Sequence, residues 1–549
     1  MTSMVFQLVG GIGLFLMGMV LLTDGLKAFA GESLRVALVR FTGTPLKAFG
    51  SGALATALVQ SSSATTVTVI GFVSAGLLTF PQAVGVVIGA SLGTTGTGWI
   101  VSVLGLKISV GFYALPLVGI GAFLKLLARG RGRALGLALA GFGLIFVGIE
   151  TLQTGMQAAS GRFRLSELPG GGLFGHLLAM GLGVILTVIM QSSSAAVATT
   201  LTALHSGTVN FDQAASIVIG AAVGTTVTGA LAAIGGSVSA KRTAIAHVLF
   251  NLATGLVAVV SLPLFLRGIR WAQDHLGLDP GATSLAAFHT GFIAVGVLIF
   301  LPWVHRFSAW IERLLPERGP ILTRHLDDTV LHAPAVALEA TRRALCESAA
   351  TVFRTLRDGL QGPAAGRDDP TRREVERALE RIQEFFTRIP PIVEDAPLSR
   401  FRLAQVHAVD HLVRLIARWE VPPGLRHRQA QDRFRPALTL CQDILDTAER
   451  GLIGGGATDW LARVEGDALA LAQLRRQERP VVLSETAGGQ WGASAALEIL
   501  DAIRWFDRVG YHTWRIANYL GGDGQPEPPG AVAQEDKTLA ALPPDPRTP

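Results

Sequence analysis

One short run of residues occurs twice in this chain. Gln60-Ser61-Ser62-Ser63-Ala64 returns as Gln191-Ser192-Ser193-Ser194-Ala195. Each copy is followed at the same distance by a second landmark, Gly89-Ala90-Ser91-Leu92-Gly93-Thr94-Thr95 and then Gly220-Ala221-Ala222-Val223-Gly224-Thr225-Thr226. Between the landmarks the copies align without a gap and about half of the positions are identical. The likeness reaches upstream, where Gly11, Gly18 and Gly25 match Gly141, Gly148 and Gly155. A duplication of this kind restricts the fold to two copies of one supersecondary unit packed on each other.

The setting of the copies is a membrane. Only 16% of the 549 residues are charged, against about 25% in soluble proteins, and the mean hydropathy is +0.43. Apolar segments follow one another at roughly 4–28, 48–80, 82–105, 108–128, 134–158, 173–206, 213–236, 243–266 and 282–303, several of membrane-spanning length. The first lacks a basic leader region and continues as a full span, so no cleavable signal peptide is expected. The net charge of +6 does not point to nucleic acid, because the basic residues sit in short loops beside apolar runs. The expected fold class is all-α, a polytopic membrane protein followed by a soluble helical bundle.

Loop charge orients the spans. If all nine segments crossed, Arg129, Arg131 and Arg133 would lie opposite the Arg-rich C-terminal part, as would Lys27, Arg35, Arg40 and Lys47, against the positive-inside tendency. If the two segments holding Gln-Ser-Ser-Ser are re-entrant hairpins, these residues, with Lys241-Arg242 and His305–Arg318, all become cytoplasmic; Arg267 and Arg270 stay outside. Each copy then holds three crossings, so the second is inserted upside down. Inverted repeats with broken helices place a substrate site at their interface in many secondary transporters.

The serines supply the chemistry. About a dozen apolar or small residues flank each run, an arm of ~18 Å that cannot cross a ~30 Å core. A break at the serines is expected, with serine capping the helix that follows. A helix N-terminus offers N–H donors and positive dipole to an oxyanion such as phosphate or sulfate. Gln carbonyls, hydroxyl lone pairs and freed backbone carbonyls offer oxygen to a hard cation such as sodium. A lone serine in a membrane helix is usually a packing residue, but four consecutive polar residues, duplicated, point to a site. No Gly-x-Ser-x-Gly elbow frames these serines, so no enzyme is expected, although His205 and His247 lie in the membrane segments. Glu150 and Asp24 are the carboxylates within the spans, and Glu150 has no counterpart in the other copy, where Val20 stands. No Arg or Lys accompanies the hairpins, so a multivalent anion there needs co-bound cations.

These residues bring a known family into view. The paired Gln-Ser-Ser-Ser runs with their Gly-Thr-Thr helices resemble the type II sodium–phosphate cotransporters and their bacterial relatives, over about residues 4–305. Ala244-Ile245-Ala246-His247-Val248-Leu249-Phe250-Asn251 is similar to that family's Ala-x-x-His-x-x-Phe-Asn stretch; Phe288-His289-Thr290-Gly291-Phe292-Ile293 echoes it, with Ile293 where Asn is expected. The resemblance implies sodium-coupled phosphate symport in the cell inner membrane, with sodium as coupling ion and no other cofactor. Its contacts would be Gln60, Ser61, Ser62, Ser63, Gln191, Ser192, Ser193 and Ser194, with Thr94, Thr95, Thr225, Thr226 and Asn251 sharing in sodium or phosphate coordination. A phosphate channel or exporter, a phosphate sensor and a symporter of another oxyanion stay open.

The resulting layout is a transport domain over 1–310 (repeat one about 4–130, repeat two about 134–266, final span about 282–303), a connector over 311–333, a bundle over 334–520 and a disordered, Gly/Pro/acid-rich tail over 521–549. Helical periodicity in the bundle runs at roughly 334–361, 370–388, 399–420, 428–451, 457–478 and 493–520, broken by Gly and Pro clusters. The bundle resembles a PhoU-like module and is expected on the cytoplasmic side, with homodimerisation through it as one option. That module's acidic metal motif is eroded, since Tyr511 stands where Asp is expected in Asp507–His512, and Asp410-His411 is a remnant of its partner. Cys346 and Cys441 have no metal or disulfide spacing and are expected as buried thiols.

Overall fold

A computed structural model describes residues 2–40, 42–107, 111–160, 172–234, 236–317, 321–331, 333–361, 369–392, 396–426, 431–454 and 458–522. The chain divides into two compact units, Met1–Arg318 and Gly319–Pro549. The tail expected to be disordered lies, beyond residue 522, outside the described residues.

In the first unit the helices run α1 (Thr2–Arg40), α2 (Pro45–Val59), α3 (Ser62–Ser74), α4 (Phe80–Thr94) and α5 (Gly96–Trp99), the last continued by a π-helix over Ile100–Lys107. Then follow α6 (Gly111–Leu127), α7 (Arg131–Ser160), α8 (Gly172–Met190), α9 (Ser193–His205), α10 (Phe211–Gly224), α11 (Thr226–Ala232), α12 (Val238–Val260), α13 (Leu262–Leu276), α14 (Ala282–Phe300) and α15 (Val304–Leu314). Among the described residues, seven helical stretches are long and apolar enough to cross a membrane. The repeat shows in the caps as well. Thr79 with Gln82 and Asn210 with Gln213 form matching capping boxes at the starts of α4 and α10.

Glycine contacts give the directions of these helices. A Cβ on Gly11 would meet Gly148, one on Gly18 would meet Gly141, and one on Gly25 would meet Ala134 and Ala138. The duplicated helices α1 and α7 therefore lie antiparallel, so the copies are inverted. Small residues along both allow this approach. In contrast, Gly85 lies on Pro45, Gly89 on Phe49 and Gly93 on Ala53, so α2 and α4 run parallel. Gly220 on Met180 and Gly224 on Val184 make α8 and α10 parallel in the same way. A chain whose α2 and α4 share a direction must turn back between them, and α3 and α9 are the returning arms.

Three expectations shift. The returning arms α3 and α9 have 13 residues each, close to the expected dozen, but the entering arms are longer: α2 has 15 and α8 has 19, about 22 and 28 Å, so α8 alone approaches the membrane thickness. Helix α1 continues to Arg40, through most of the segment that loop charge placed outside a helix. The run 243–266 breaks at Ser261, where Pro263 opens the amphipathic α13 instead of prolonging α12.

The second unit holds α16 (Pro334–Gln361), α17 (Pro370–Arg388), α18 (Ala396–Ile416), α19 (Gln431–Leu452), α20 (Trp460–Ala487) and α21 (Ala493–Gly521). Its core gathers Phe353, Leu412, Trp419, Ile444 and Phe506 from four helices and the turn after α18. Ion pairs tie the helices further: Arg357 reaches Asp446 at 2.7 Å and Glu449 at 2.8 Å.

Candidate functional site

Each serine run breaks its helix in the same way. Gln60 ends α2 in the left-handed region (φ 58°, ψ 28°), and Gln191 ends α8 likewise (φ 51°). Among the described residues these are the sole non-glycine positions with positive φ. A side chain in that region costs about 1–2 kcal/mol, and the two copies carry this strain at matching positions. Ser61 and Ser192 are extended and cap α3 and α9, their Oγ atoms accepting from Ala64 N and Ala195 N, both at 3.2 Å. The N–H groups of Ser62, Ser63, Ser193 and Ser194 then stand in first turns, where no intrahelical acceptor exists.

The two tips meet. Thr97 Oγ1 donates to Gln60 Oε1 at 2.9 Å and lies 3.2 Å from Ser194 Oγ, so one hydroxyl joins the first Gln-Ser-Ser-Ser to the second. The counterpart contact is present on the other side, where Ser63 Oγ lies 3.4 Å from Thr228 Oγ1. Thr97 and Thr228 occupy matching places in the two copies. Sequence reasoning stopped two residues short, at Thr95 and Thr226. The Thr-Gly pairs Thr97-Gly98 and Thr228-Gly229 repeat at the same spacing and carry the signal that was missed.

The Gly-Thr-Thr landmarks form helix breaks, at Thr95 between α4 and α5 and at Thr225 between α10 and α11. Thr94 Oγ1 donates to Ala90 O at 2.9 Å, Thr95 Oγ1 to Leu92 O at 2.8 Å and Thr226 Oγ1 to Val223 O at 2.8 Å. Hydroxyls that have given their proton away present lone pairs alone. Thr225 is buried, and its carbonyl accepts from Thr228 Oγ1 at 2.7 Å. Ser62 and Ser193 are buried, with hydroxyls that bond no protein group among the described residues. The copies differ at their glutamines: Gln60 is buried, while Gln191 is exposed with Nε2 on Val188 O at 2.7 Å.

Asn251 is buried in α12, its Nδ2 donating to His247 O at 3.0 Å, and it bonds neither tip. Ile293, where the echo of that stretch departs from Asn, is buried core. Glu150 and Asp24 are exposed and His205 ends α9 at the surface, so none belongs to the cluster. What the serines, glutamines and threonines assemble is a neutral, oxygen-rich cluster with oriented N–H donors.

In the second unit the Asp410-His411 and Asp507–His512 stretches come together through their histidines. His411 Nδ1 and His512 Nδ1 are 3.0 Å apart and both rings are buried. Among the described residues no group of three or more His, Cys, Asp or Glu is placed to hold a metal. Both cysteines are free and buried, and burial pushes the Cys346 thiol up to about 11. Burial first, then Arg418, His411, Arg508 and Arg414, pushes His512 down to about 2. The unfolded chain takes that proton near pH 6.5, so stability is full above that value and falls as the pH drops toward 2. Between pH 7 and 5 we expect the second unit to lose about 2 kcal/mol. Thermal unfolding of the full chain checks this, and His512→Phe should flatten the dependence; an unchanged slope would refute the assignment.

Comparison with known proteins fits this geometry. The sequence profile of the family described as Na+/Pi-cotransporter matches residues 14–154 and again 148–273, once for each copy. "Uncharacterized protein YqeW" of Bacillus subtilis (strain 168) is 34% identical over 310 residues, 55% of this chain and 96% of that protein. "Putative inorganic phosphate export protein YjbB" of Escherichia coli (strain K12) is 31% identical over 347 residues, and its Salmonella typhimurium namesake 29%. This chain spans 61% of the length of each of those two proteins. No solved structure matches the chain. With its duplicated match and its full-length likeness to YqeW, the chain belongs to the Na+/Pi-cotransporter family.

Proposed function

We propose that the chain is a secondary transporter that moves inorganic phosphate with sodium through the interface of its inverted copies. The observation that carries this reading is the Gln60–Thr97–Ser194 bridge, which brings two oppositely inserted helix breaks to one place. First-turn N–H groups of α3 and α9, with the free Ser62 and Ser193 hydroxyls, suit the anion. Proton-donating threonines Thr94, Thr95 and Thr226, which keep outward lone pairs, suit sodium. Because no charged side chain takes part in these contacts, bound cations balance the phosphate, and that is the physical basis of coupling. Both hairpins are re-entrant in this reading, and the second unit lies on the cytoplasmic side of the inner membrane. A buried Gln60 tip beside an exposed Gln191 tip describes one closed and one open half of an alternating-access cycle.

Radiolabelled phosphate flux in proteoliposomes tests the reading. Uptake should follow an imposed sodium gradient and cease when potassium replaces sodium. Equal flux in both salts would refute coupling and favour an uncoupled exit route, the second reading, which the YjbB relatives named for phosphate export support. Thr97→Val, which removes the bridging hydroxyl and leaves Gln60 Oε1 without its donor, should cost about 1–3 kcal/mol. Initial rates should fall roughly tenfold, and wild-type rates would show that the bridge is incidental.

A further inference from the structure

Positive groups collect between α18 and α21 without matching carboxylates. The two helices run antiparallel, since His411 meets His512 and the Arg418 carbonyl accepts from Trp505 Nε1 at 3.0 Å. That register sets Arg508 on the shared seam, level with the stretch between His411 and Arg418. Arg418 is half-buried, and its hydrogen bond goes from Nη1 to Arg414 O at 2.6 Å. Arg508 is half-buried too, and among the described residues it forms no ion pair or hydrogen bond. Of the three arginines Arg414 alone has a carboxylate, Asp410 at 3.0 Å. The neighbouring Asp507 faces away, toward Arg475 on α20 at 3.4 Å.

Two half-buried guanidiniums without counter-charge repel one another, and apart from Arg418 Nη1 their forked donors bond no protein group among the described residues. Beside them the histidine pair shares one proton between Nδ1 atoms. The accepting ring, when neutral, must then carry its own proton on Nε2, a further donor. Planar guanidinium forks match phosphate oxygens two at a time.

We propose that this seam binds a dianionic phosphate group, held by Arg418 and Arg508 and bordered by the His411–His512 pair. The group is either free inorganic phosphate or the phosphate of a small ester. This site is separate from the serine tips, and the assignment does not depend on the transport reading.

The test uses the full chain in detergent carrying Gln60→Ala and Gln191→Ala, so that the membrane unit contributes least. Inorganic phosphate, glycerol 3-phosphate and chloride are titrated at constant ionic strength, with heat release and thermal midpoint as readouts. The phosphate compounds should bind saturably and raise the second unit's midpoint, and chloride should not. The tighter of the two identifies the source. Arg418→Gln combined with Arg508→Gln should weaken binding at least tenfold while the ligand-free midpoint holds or rises, because a repulsion is gone. Arg508→Glu, which supplies the missing carboxylate, should give a folded protein blind to phosphate. Exposed Arg504, replaced by Gln, should leave binding unchanged. Undiminished binding in the Arg418/Arg508 variants, or a midpoint shift that chloride reproduces, would overturn the proposal.

Discussion

Gln60→Ala and Gln191→Ala are each expected to lower phosphate flux in proteoliposomes by about 100-fold or more, with protein that remains folded and monodisperse. Gln60 ends α2, receives Thr97 through Oε1 and donates through Nε2 to Ala57 O at 2.5 Å. Truncation removes the acceptor of the buried Thr97 hydroxyl, which keeps only Ser194 Oγ at 3.2 Å, and takes the Gln60 side of the bridge away from the place where the copies touch, a loss of about 1–3 kcal/mol. Glycine separates side chain from backbone. Gln60→Gly and Gln191→Gly relax the left-handed conformation, so they should fold at least as well and still fail to transport. Near-normal flux in the glycine variants would remove the amides from the site.

A different pair of positions should decide whether the first unit folds at all. Gly89→Val and Gly220→Val are expected to abolish recovery of monodisperse protein. A Cβ at Gly89 would overlap the Phe49 carbonyl, and one at Gly220 the Met180 carbonyl. Both obstacles are backbone of the parallel partner helix and have no rotamer to change. Overpacking typically costs about 1–3 kcal/mol where side chains can shift, and here the whole helix must move. Gly181 has open space at its Cβ position, so Gly181→Val serves as the control and should purify normally. Comparable recovery of all three variants would mean that α2 and α4, and α8 and α10, do not pack as described.

Sequence carried much of this because the determinants were local or duplicated. Pro334–Gln361 and Pro370–Arg388 coincide with the helices read from periodicity, since each has a clear apolar stripe bounded by Pro or Gly. The inversion of the copies followed from loop charge and shows again in the α1–α7 register. Thr97 and Thr228 were not singled out because they follow a break that composition does not announce. Thr95 and Thr225 sit in Gly/Thr-rich runs of uniformly low helix propensity, which mark no single residue as the break. The end of α12 was overrun for the opposite reason, since apolar residues continue past Ser261 into α13 and periodicity alone does not show a change of direction. In the sequence the two histidines stand about a hundred residues apart, at 411 and 512. Their contact belongs to tertiary register, which one sequence does not display.

The α1–α7 pairing has an implication for ancestry. Two copies of a single peptide lying head to tail against each other are what a self-associating half-length precursor would form, provided that it entered the lipid in either orientation with similar ease. Fusing the genes for such a precursor would free each half to collect its own lysines and arginines, fix its orientation and specialise. The buried Gln60 and the exposed Gln191 are then the two faces of an old symmetry that the joined chain no longer has to keep.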